Sequence, residues 1–146
     1  MSSHSVHPIQ ILLIEDSPSD ANLTIKRLKT AKVLNELHWV EDGETAMEFL
    51  HNKGEYADAP RPDLILLDLN LPGMDGREVL QEVKLDSNLH RIPVVILTTS
   101  ADEHDVLRAY NLKANCYITK PVEVQHFLSI VGLIEDFWLA AVKLPS

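Results

Sequence analysis

The chain has 146 residues, of which 45% are hydrophobic and 24% charged, and its formal net charge is −9. This balance is typical of one globular domain with an ordinary core, and it excludes a disordered chain. The negative charge argues against direct nucleic-acid binding, and no apolar stretch reaches the roughly 18 residues of a membrane span.

Residues 1–8 are expected to form a flexible N-terminal tail, and residues 9–146 a single domain. A disordered terminus explains His4 and His7 in this tail better than a metal site does. The start of the chain has neither the basic nor the apolar region of a signal peptide, so we expect a cytoplasmic protein.

Five short apolar runs alternate with helical patterns along the domain. Such runs are typical of buried parallel strands joined by helices, which predicts an α/β fold with a doubly wound, five-stranded parallel sheet. The predicted strands are Ile9–Ile14, Glu36–Val40, Leu64–Asp68, Val94–Thr98 and Cys116–Thr119.

Helix starts support this count, because a side-chain acceptor at the N-cap satisfies the free amides of the first turn. The segment from residue 52 to 62 contains Gly and Pro without any period and is expected to be an exposed loop. The predicted caps are Ser17, Asp42, Asp75 with Glu78 three residues later, and Ser100 with Glu103.

The last helical pattern, from about Val122 to Val142, is longer than one sheet face requires. One apolar stripe of this helix is expected to pack on the sheet. A second stripe either widens the buried face or mediates self-association, and we expect a homodimer through it. The second stripe consists of Ile130, Leu133, Phe137 and Ala141.

Cys116 is the only cysteine, so an internal disulfide is impossible. Its position in a predicted strand indicates a buried, small apolar side chain rather than a reactive thiol, since burial raises the pKa of a thiol.

Three acidic residues follow or end two of the predicted strands: Glu15, Asp16 and Asp68. In the strand order 2-1-3-4-5 the first and third strands are neighbours, so these carboxylates would meet at the carboxyl edge of the sheet, at its topological switch point. Like charges this close require bound protons or a hard divalent cation, and all-oxygen ligation favours Mg²⁺ or Mn²⁺.

Two donors end the remaining strands at the same edge. Thr98 closes the fourth strand, and Lys120 follows the fifth. Each site residue has an alternative explanation: Thr98 as a β-branched strand end and Lys120 as a solvated loop charge. Glu15 and Asp16 could likewise be turn or capping residues. Together with the three acids, the two donors predict a metal-assisted site for phosphoryl chemistry.

These residues resemble the receiver domains of bacterial two-component response regulators. The resemblance covers about Ile9 to Val142 and rests on four motifs: Ile14-Glu15-Asp16, Leu67-Asp68-Leu69-Asn70-Leu71-Pro72-Gly73-Met74-Asp75-Gly76, Leu97-Thr98-Thr99-Ser100 and Tyr117-Ile118-Thr119-Lys120-Pro121.

The resemblance implies that Asp68 is the phosphoacceptor, accepting from a sensor histidine kinase. The metal would be held by Asp68, by Asp16 directly, by Glu15 through water and by the backbone carbonyl of Asn70. Glu15 stands where the family more often has Asp.

The resemblance also implies that Lys120 pairs with the phosphoryl group and that Thr98 and Tyr117 switch on phosphorylation. Tyr117 is alternatively a half-buried aromatic with its hydroxyl in water. Asn70 and Ser100 would flank the phosphoryl group. Lys120-Pro121 is expected to be a cis peptide. By this likeness the protein is a switch that catalyses only its own phosphorylation and dephosphorylation, and is not an enzyme with a separate substrate.

Further segments resemble single-domain regulators paired with cyanobacterial phytochrome histidine kinases, in which an extended last helix is associated with homodimers. These are the loop at Glu55-Tyr56, the run from Arg61 to Leu66, Asn115-Cys116-Tyr117 and the ending from Phe137 to Pro145. No output domain is expected after the receiver.

Three alternatives remain open. A phosphatase of the haloacid dehalogenase type needs a second Asp two residues after the nucleophile, where this chain has Asn70. An FMN binder needs a phosphate-binding first loop, whereas this loop, from Asp16 to Asp20, is acidic. The third is a receiver-fold dimeric adaptor without phosphotransfer.

Overall fold

A computed structural model describes residues 8–30, 34–98, 113–114 and 116–133, with the backbone alone at 98 and 130–133. The described strands are β1 (Ile9–Ile14), β2 (Asn35–Val40), β3 (Leu64–Asp68), β4 (Val94–Thr98) and β5 (Cys116–Thr119). The described helices are α1 (Pro18–Lys29), α2 (Gly43–Leu50), α3 (Gly76–Leu85) and a C-terminal helix (Val124–Leu133).

The strands form one parallel sheet in the order β2-β1-β3-β4-β5. The predicted α/β class and strand order are therefore confirmed. The bounds of β1, β3, β4 and β5 match the prediction, while β2 begins one residue earlier, at Asn35.

Alternate residues of the strands pack on opposite faces of the sheet. Leu12 and Leu67 belong to a cluster that includes the buried residues of α2 and α3. Leu13 and Leu66 belong to a second cluster, which includes Ala21 of α1 and Phe127 of the C-terminal helix. Both faces are thus covered, which explains why β1 and β3 are apolar at nearly every position.

Three predicted helix caps are confirmed. Ser17 Oγ accepts from the backbone of Asp20, with Pro18 at the first helical position, and Asp42 accepts from Thr45. Asp75 and Glu78 form the capping box of α3. The predicted cap at Ser100 lies outside the described residues.

The segment from 52 to 62 is mostly exposed, as predicted, and contains a short 3₁₀ turn, Gly54–Tyr56. Cys116 is half-buried rather than fully buried, and burial raises the pKa of its thiol. Among the described residues, no helix combines the length and the apolar character that crossing a membrane requires.

Candidate functional site

Three carboxylates meet at the carboxyl ends of β1 and β3. One oxygen each from Glu15, Asp16 and Asp68 lies within 4.8 Å of the other two. They converge because β1 and β3 are adjacent parallel strands in register, with Ile14 beside Leu67. Glu15 is 0% and Asp68 4% exposed, whereas Asp16 faces solvent. The predicted acid cluster is therefore present, with one member open to an incoming ligand.

Four hydrogen bonds hold Glu15 in this cluster. Its backbone N–H donates to the carbonyl of Val40 (3.0 Å), and its backbone carbonyl accepts from Trp39 Nε1 (2.7 Å). Its carboxylate accepts from the backbone of Ser17 (3.2 Å) and from Lys120 Nζ (2.8 Å). The orientation of Glu15 is thus fixed from β2, from the start of α1 and from the end of β5.

Lys120 places its ammonium among the acids. Nζ lies 2.8 Å from Glu15 Oε1, 3.3 Å from Asp68 Oδ2 and 3.1 Å from Asp20 Oδ2. The Lys120-Pro121 peptide is cis, as expected. Burial acts to lower the pKa of Lys120, but hydrogen bonds to Glu15 and Asp20 and the charges of Asp68 and Glu15 outweigh burial, so the pKa is raised. Lys120 therefore stays charged at neutral pH.

Burial raises the pKa of Glu15 from 4.5 to about 7. The hydrogen bond from Lys120 acts in the opposite direction, and the neighbouring Asp68 adds to the increase. Two of the ways in which a crowded acid site is stabilised are therefore present here, an ammonium counter-ion and a carboxyl group that holds its proton more tightly.

The loop after β3 fixes Asp68 from its other side. The backbone N–H of Asn70 donates to Asp68 Oδ1 (2.9 Å). Helix α3 begins at Gly76, directly against this strand end, and a Cβ built on Gly76 would collide with the backbone oxygen of Asp68 and would lie 2.7 Å from Leu69 Cα. Glycine therefore permits the close approach of α3 to the strand that carries Asp68.

The other predicted site residues are only partly covered by the structure. The backbone of Thr98 ends β4 beside Thr119 of β5, at the same sheet edge as the acids. Tyr117 is half-buried and packs against the cluster on the α2 and α3 face. Ser100 lies outside the described residues, as do Phe137 and Ala141 and the side chains of Ile130 and Leu133.

Among the described residues, two side chains that bond to site residues were not predicted to do so, those of Asp20 and Trp39. Asp20 follows Asp16 by four residues and lies in the first turn of α1. The cap at Ser17 predicts this turn, but no sequence pattern indicates the contact of Asp20 with Lys120. Trp39 reaches Glu15 because β2 pairs with β1 so that Trp39 is beside Leu13, a register that no sequence pattern fixes.

The donor set suits a hard divalent cation. Glu15, Asp20 and Asp68 contact the Lys120 ammonium, and Asp16 lies beside Glu15 and Asp68, so the site is net negative when these acids are ionised. The acid cluster offers carboxylate oxygens only, which fits Mg²⁺ or Mn²⁺ rather than a metal that prefers nitrogen or sulfur.

The fold and this site define a class of protein. Residues 11–132 match the family model of the response regulator receiver domain. The chain therefore belongs to the receiver domain family of response regulators.

Individual relatives are similar to this chain over nearly its whole length. Response regulator Rcp1 of Synechocystis sp. is 51% identical over 146 residues, covering 100% of this chain and 99% of Rcp1. The crystal structure of the Mn²⁺-bound form of Rcp1 matches with a TM-score of 0.74 and 52% identity, over 95% of this chain and 100% of that one. The crystal structure of the phosphorylated cyanobacterial phytochrome response regulator RcpA matches with a TM-score of 0.76 and 50% identity, over 96% and 100%.

Proposed function

We propose that Asp68 accepts a phosphoryl group from the phosphohistidine of a sensor histidine kinase. The observation that carries this proposal is the 3.3 Å contact between Asp68 Oδ2 and the Lys120 ammonium inside the acid cluster. A carboxylate oxygen at this place has a fixed cation beside it, which neutralises charge as the phosphoryl group arrives.

In the proposed step an Asp68 oxygen attacks the phosphorus. The new O–P bond forms as the P–N bond breaks, and the bonding pair stays on the imidazole nitrogen of the kinase. Lys120 donates to a phosphoryl oxygen, while the Asn70 amide keeps the other carboxylate oxygen of Asp68 in place. Hydrolysis of the aspartyl phosphate returns the carboxylate and inorganic phosphate, so the chain acts as a switch.

Asp16, Asp68 and the carbonyl of Asn70 are the proposed direct ligands of Mg²⁺ or Mn²⁺, and Glu15 is proposed to bind the cation through water. The cation would supply charge neutralisation for the phosphoryl oxygens. These four groups meet at the carboxyl edge of the sheet. Burial of Glu15 and Asp68 there excludes water from one side of the reacting carboxylate.

The signal is proposed to be a population shift between two conformations. Phosphorylation adds charge and acceptor oxygens at one position, and only groups that contact them differently in the two states can move the equilibrium. Thr98 and Tyr117 are the proposed switch residues, and Asn70 and Ser100 are proposed to flank the phosphoryl group and tune its hydrolysis.

Intact mass measurement after incubation with Mg²⁺ and acetyl phosphate tests the proposal. We expect wild type to gain the mass of one phosphoryl group and Asp68→Asn to gain none. Asp58→Asn, an exposed acid in the loop before β3, is the matched control and should gain mass like wild type. An adaptor without phosphotransfer would show no gain, and a phosphatase would turn over generic phosphomonoesters.

The proposed partner is a phytochrome histidine kinase, and the proposed location of this chain is the cytoplasm. Support comes from the likeness to RcpA, which is a cyanobacterial phytochrome response regulator. The test is transfer of labelled phosphate from a purified cyanobacterial phytochrome kinase, compared with a chemotaxis kinase at equal concentration. Equal transfer rates from both would contradict the pairing.

Residues 9–146 are proposed to form one receiver domain that assembles as a homodimer through Ile130, Leu133, Phe137 and Ala141. The family match to residue 132 and the apolar pattern that continues beyond it support this. Light-scattering mass at tens of micromolar should equal two chains for wild type and one chain for Leu133→Glu with Phe137→Glu. Gln125→Glu, on an exposed position of the same helix, should stay dimeric.

A further inference from the structure

Lys120 has a third carboxylate partner that does not belong to the acid cluster. Its ammonium carries three N–H donors, and three carboxylates lie within 3.3 Å of it: Glu15, Asp68 and Asp20. Asp20 comes from the first turn of α1 rather than from a strand end. All the hydrogen-bonding capacity of the ammonium is therefore used before any phosphoryl group is present.

A phosphoryl oxygen gains a donor from Lys120 only if one of these three bonds is given up. The side chain of Asp20 is 40% exposed, whereas those of Glu15 and Asp68 are 0% and 6% exposed. Water can solvate the Asp20 carboxylate once the ammonium leaves, but Glu15 would stay buried without its counter-ion, and so would Asp68 until its oxygen bonds to phosphorus. The bond to Asp20 is therefore the one that is lost at the lowest cost.

A cavity of about 250 Å³ adjoins this ion pair, lined by Asp20, Leu23, Thr24, Lys120 and Pro121. It gives both the Asp20 carboxylate and the end of the Lys120 side chain room to move without repacking the core. The close contacts of Glu15 with Val40, Ser17 and Trp39 leave that residue no comparable freedom.

We propose that Asp20 is a positioning residue that restrains Lys120 in the unphosphorylated protein and releases it to the phosphoryl group. This inference rests on the proposed phosphoacceptor role of Asp68. Asp20 would therefore slow phosphorylation. Its negative charge opposes an incoming anion, and its hydrogen bond with Lys120 occupies the donor that the anion needs.

Replacement of Asp20 by Asn should shift the affinities for two ligands in opposite directions. An anionic phosphoryl analogue loses a repulsive neighbour and gains a free donor, so it should bind more tightly. Mg²⁺ loses an attractive neighbour, and Lys120 moves closer to Glu15 and Asp68, so the cation should bind more weakly. A variant that only damaged α1, whose first turn favours an acid, would weaken both ligands together.

The test measures two dissociation constants by calorimetry on the full chain. Beryllofluoride is titrated at saturating Mg²⁺, and Mg²⁺ is titrated alone. For Asp20→Asn we expect beryllofluoride to bind about fivefold more tightly and Mg²⁺ about threefold more weakly, the size of one unit charge a few ångströms away when water solvates it, as it does the 40% exposed Asp20 side chain. The rate of mass gain from acetyl phosphate should rise with the beryllofluoride affinity.

Two further variants sharpen the result. Asp58→Asn makes the same charge change in the loop before β3, at the opposite edge of the sheet, and should leave both constants within about twofold of wild type. Asp20→Glu keeps the charge and should restore values near those of wild type.

Equal constants for Asp20→Asn and Asp58→Asn, or weaker binding of both ligands, would overturn the role of Asp20 while leaving that of Asp68 intact. Failure of wild type itself to bind beryllofluoride or to gain mass would overturn both.

Discussion

The indole Nε1 of Trp39 donates a hydrogen bond of 2.7 Å to the backbone carbonyl of Glu15. This bond joins the edge strand β2 to the residue that begins the acidic loop. Because Glu15 also accepts from Ser17 and Lys120, its carboxylate direction depends on where its backbone is held. Trp39 therefore connects the packing of β2 to the shape of the proposed metal site.

Trp39→Phe keeps an aromatic ring and removes this donor. We expect a loss of about 1 kcal/mol in the free energy of unfolding and weaker Mg²⁺ binding by about two- to fivefold. Leu37→Ala, on the same strand, is the control: it should lower stability by at least as much and leave Mg²⁺ affinity unchanged. Urea unfolding and Mg²⁺ calorimetry on both variants check this, and unchanged metal affinity in Trp39→Phe would remove the link.

The sheet could be predicted from the sequence because its strands are apolar runs with polar ends. The ends of β3 and β4 are fixed by Asp68 and Thr98, so both were predicted to the residue. β2 was harder, since it is an edge strand whose residues are mostly half-buried. Its first residue, Asn35, is held by a side-chain hydrogen bond to the carbonyl of Leu28, a tertiary contact that no local pattern shows.

The part of the site that lies at strand ends could also be predicted from the sequence. Asp68 ends β3, Glu15 and Asp16 follow β1, and Lys120 follows β5. Sheet topology alone therefore brings these residues together. The contact of Asp20 with Lys120 depends instead on how α1 packs over the end of β5. The sequence assigned Asp20 only to the first turn of a helix, and it offered no measure of that packing.

Mg²⁺ affinity should rise with pH, because Glu15 must give up its proton to serve as a carboxylate. Burial raises the pKa of Glu15 to about 7 in the metal-free protein. Below that pH the cation competes with the proton, and above it the competition ends. Calorimetry should therefore show about tenfold tighter binding at about pH 8 than at about pH 6. The Glu15→Gln variant has no carboxyl group to titrate at this position, so its Mg²⁺ affinity should not change over this pH range.

The stability of the metal-free protein should fall as the pH rises, whereas its Mg²⁺ affinity rises. The pKa of Glu15 is higher in the folded chain than its ordinary value of 4.5, so the folded state holds this proton more tightly than the unfolded state does. The stabilising contribution is complete below about pH 4.5 and is lost as the pH rises through about 7. Urea unfolding in EDTA should show a smaller loss over this window for Glu15→Gln, and an equal loss would contradict the assignment.

Lys120→Met removes the counter-ion of the acid cluster. Without Mg²⁺ we expect the free energy of unfolding to fall by about 2–4 kcal/mol, because buried Glu15 and Asp68 lose their ammonium. Mg²⁺ should bind this variant more tightly than wild type, since no fixed cation competes with it, while beryllofluoride should bind more weakly. Lys120→Arg keeps the charge and serves as the control. Weaker Mg²⁺ binding by Lys120→Met would show that Lys120 does not oppose the metal.

Gly76→Ala tests whether the approach of α3 to Asp68 needs a residue without a side chain. The added Cβ would collide with the Asp68 carbonyl oxygen and lie 2.7 Å from Leu69 Cα, and because both are backbone atoms, the strand end or the helix must move. We expect a loss of about 2–3 kcal/mol in the free energy of unfolding and slower phosphorylation by acetyl phosphate. Gly54→Ala is the control: Gly54 has open space but a φ of +57°, so Ala there should cost about 1 kcal/mol through backbone strain and leave the phosphorylation rate unchanged. If Gly76→Ala lowers stability but not the rate, the position of α3 is structural and does not set the geometry of Asp68.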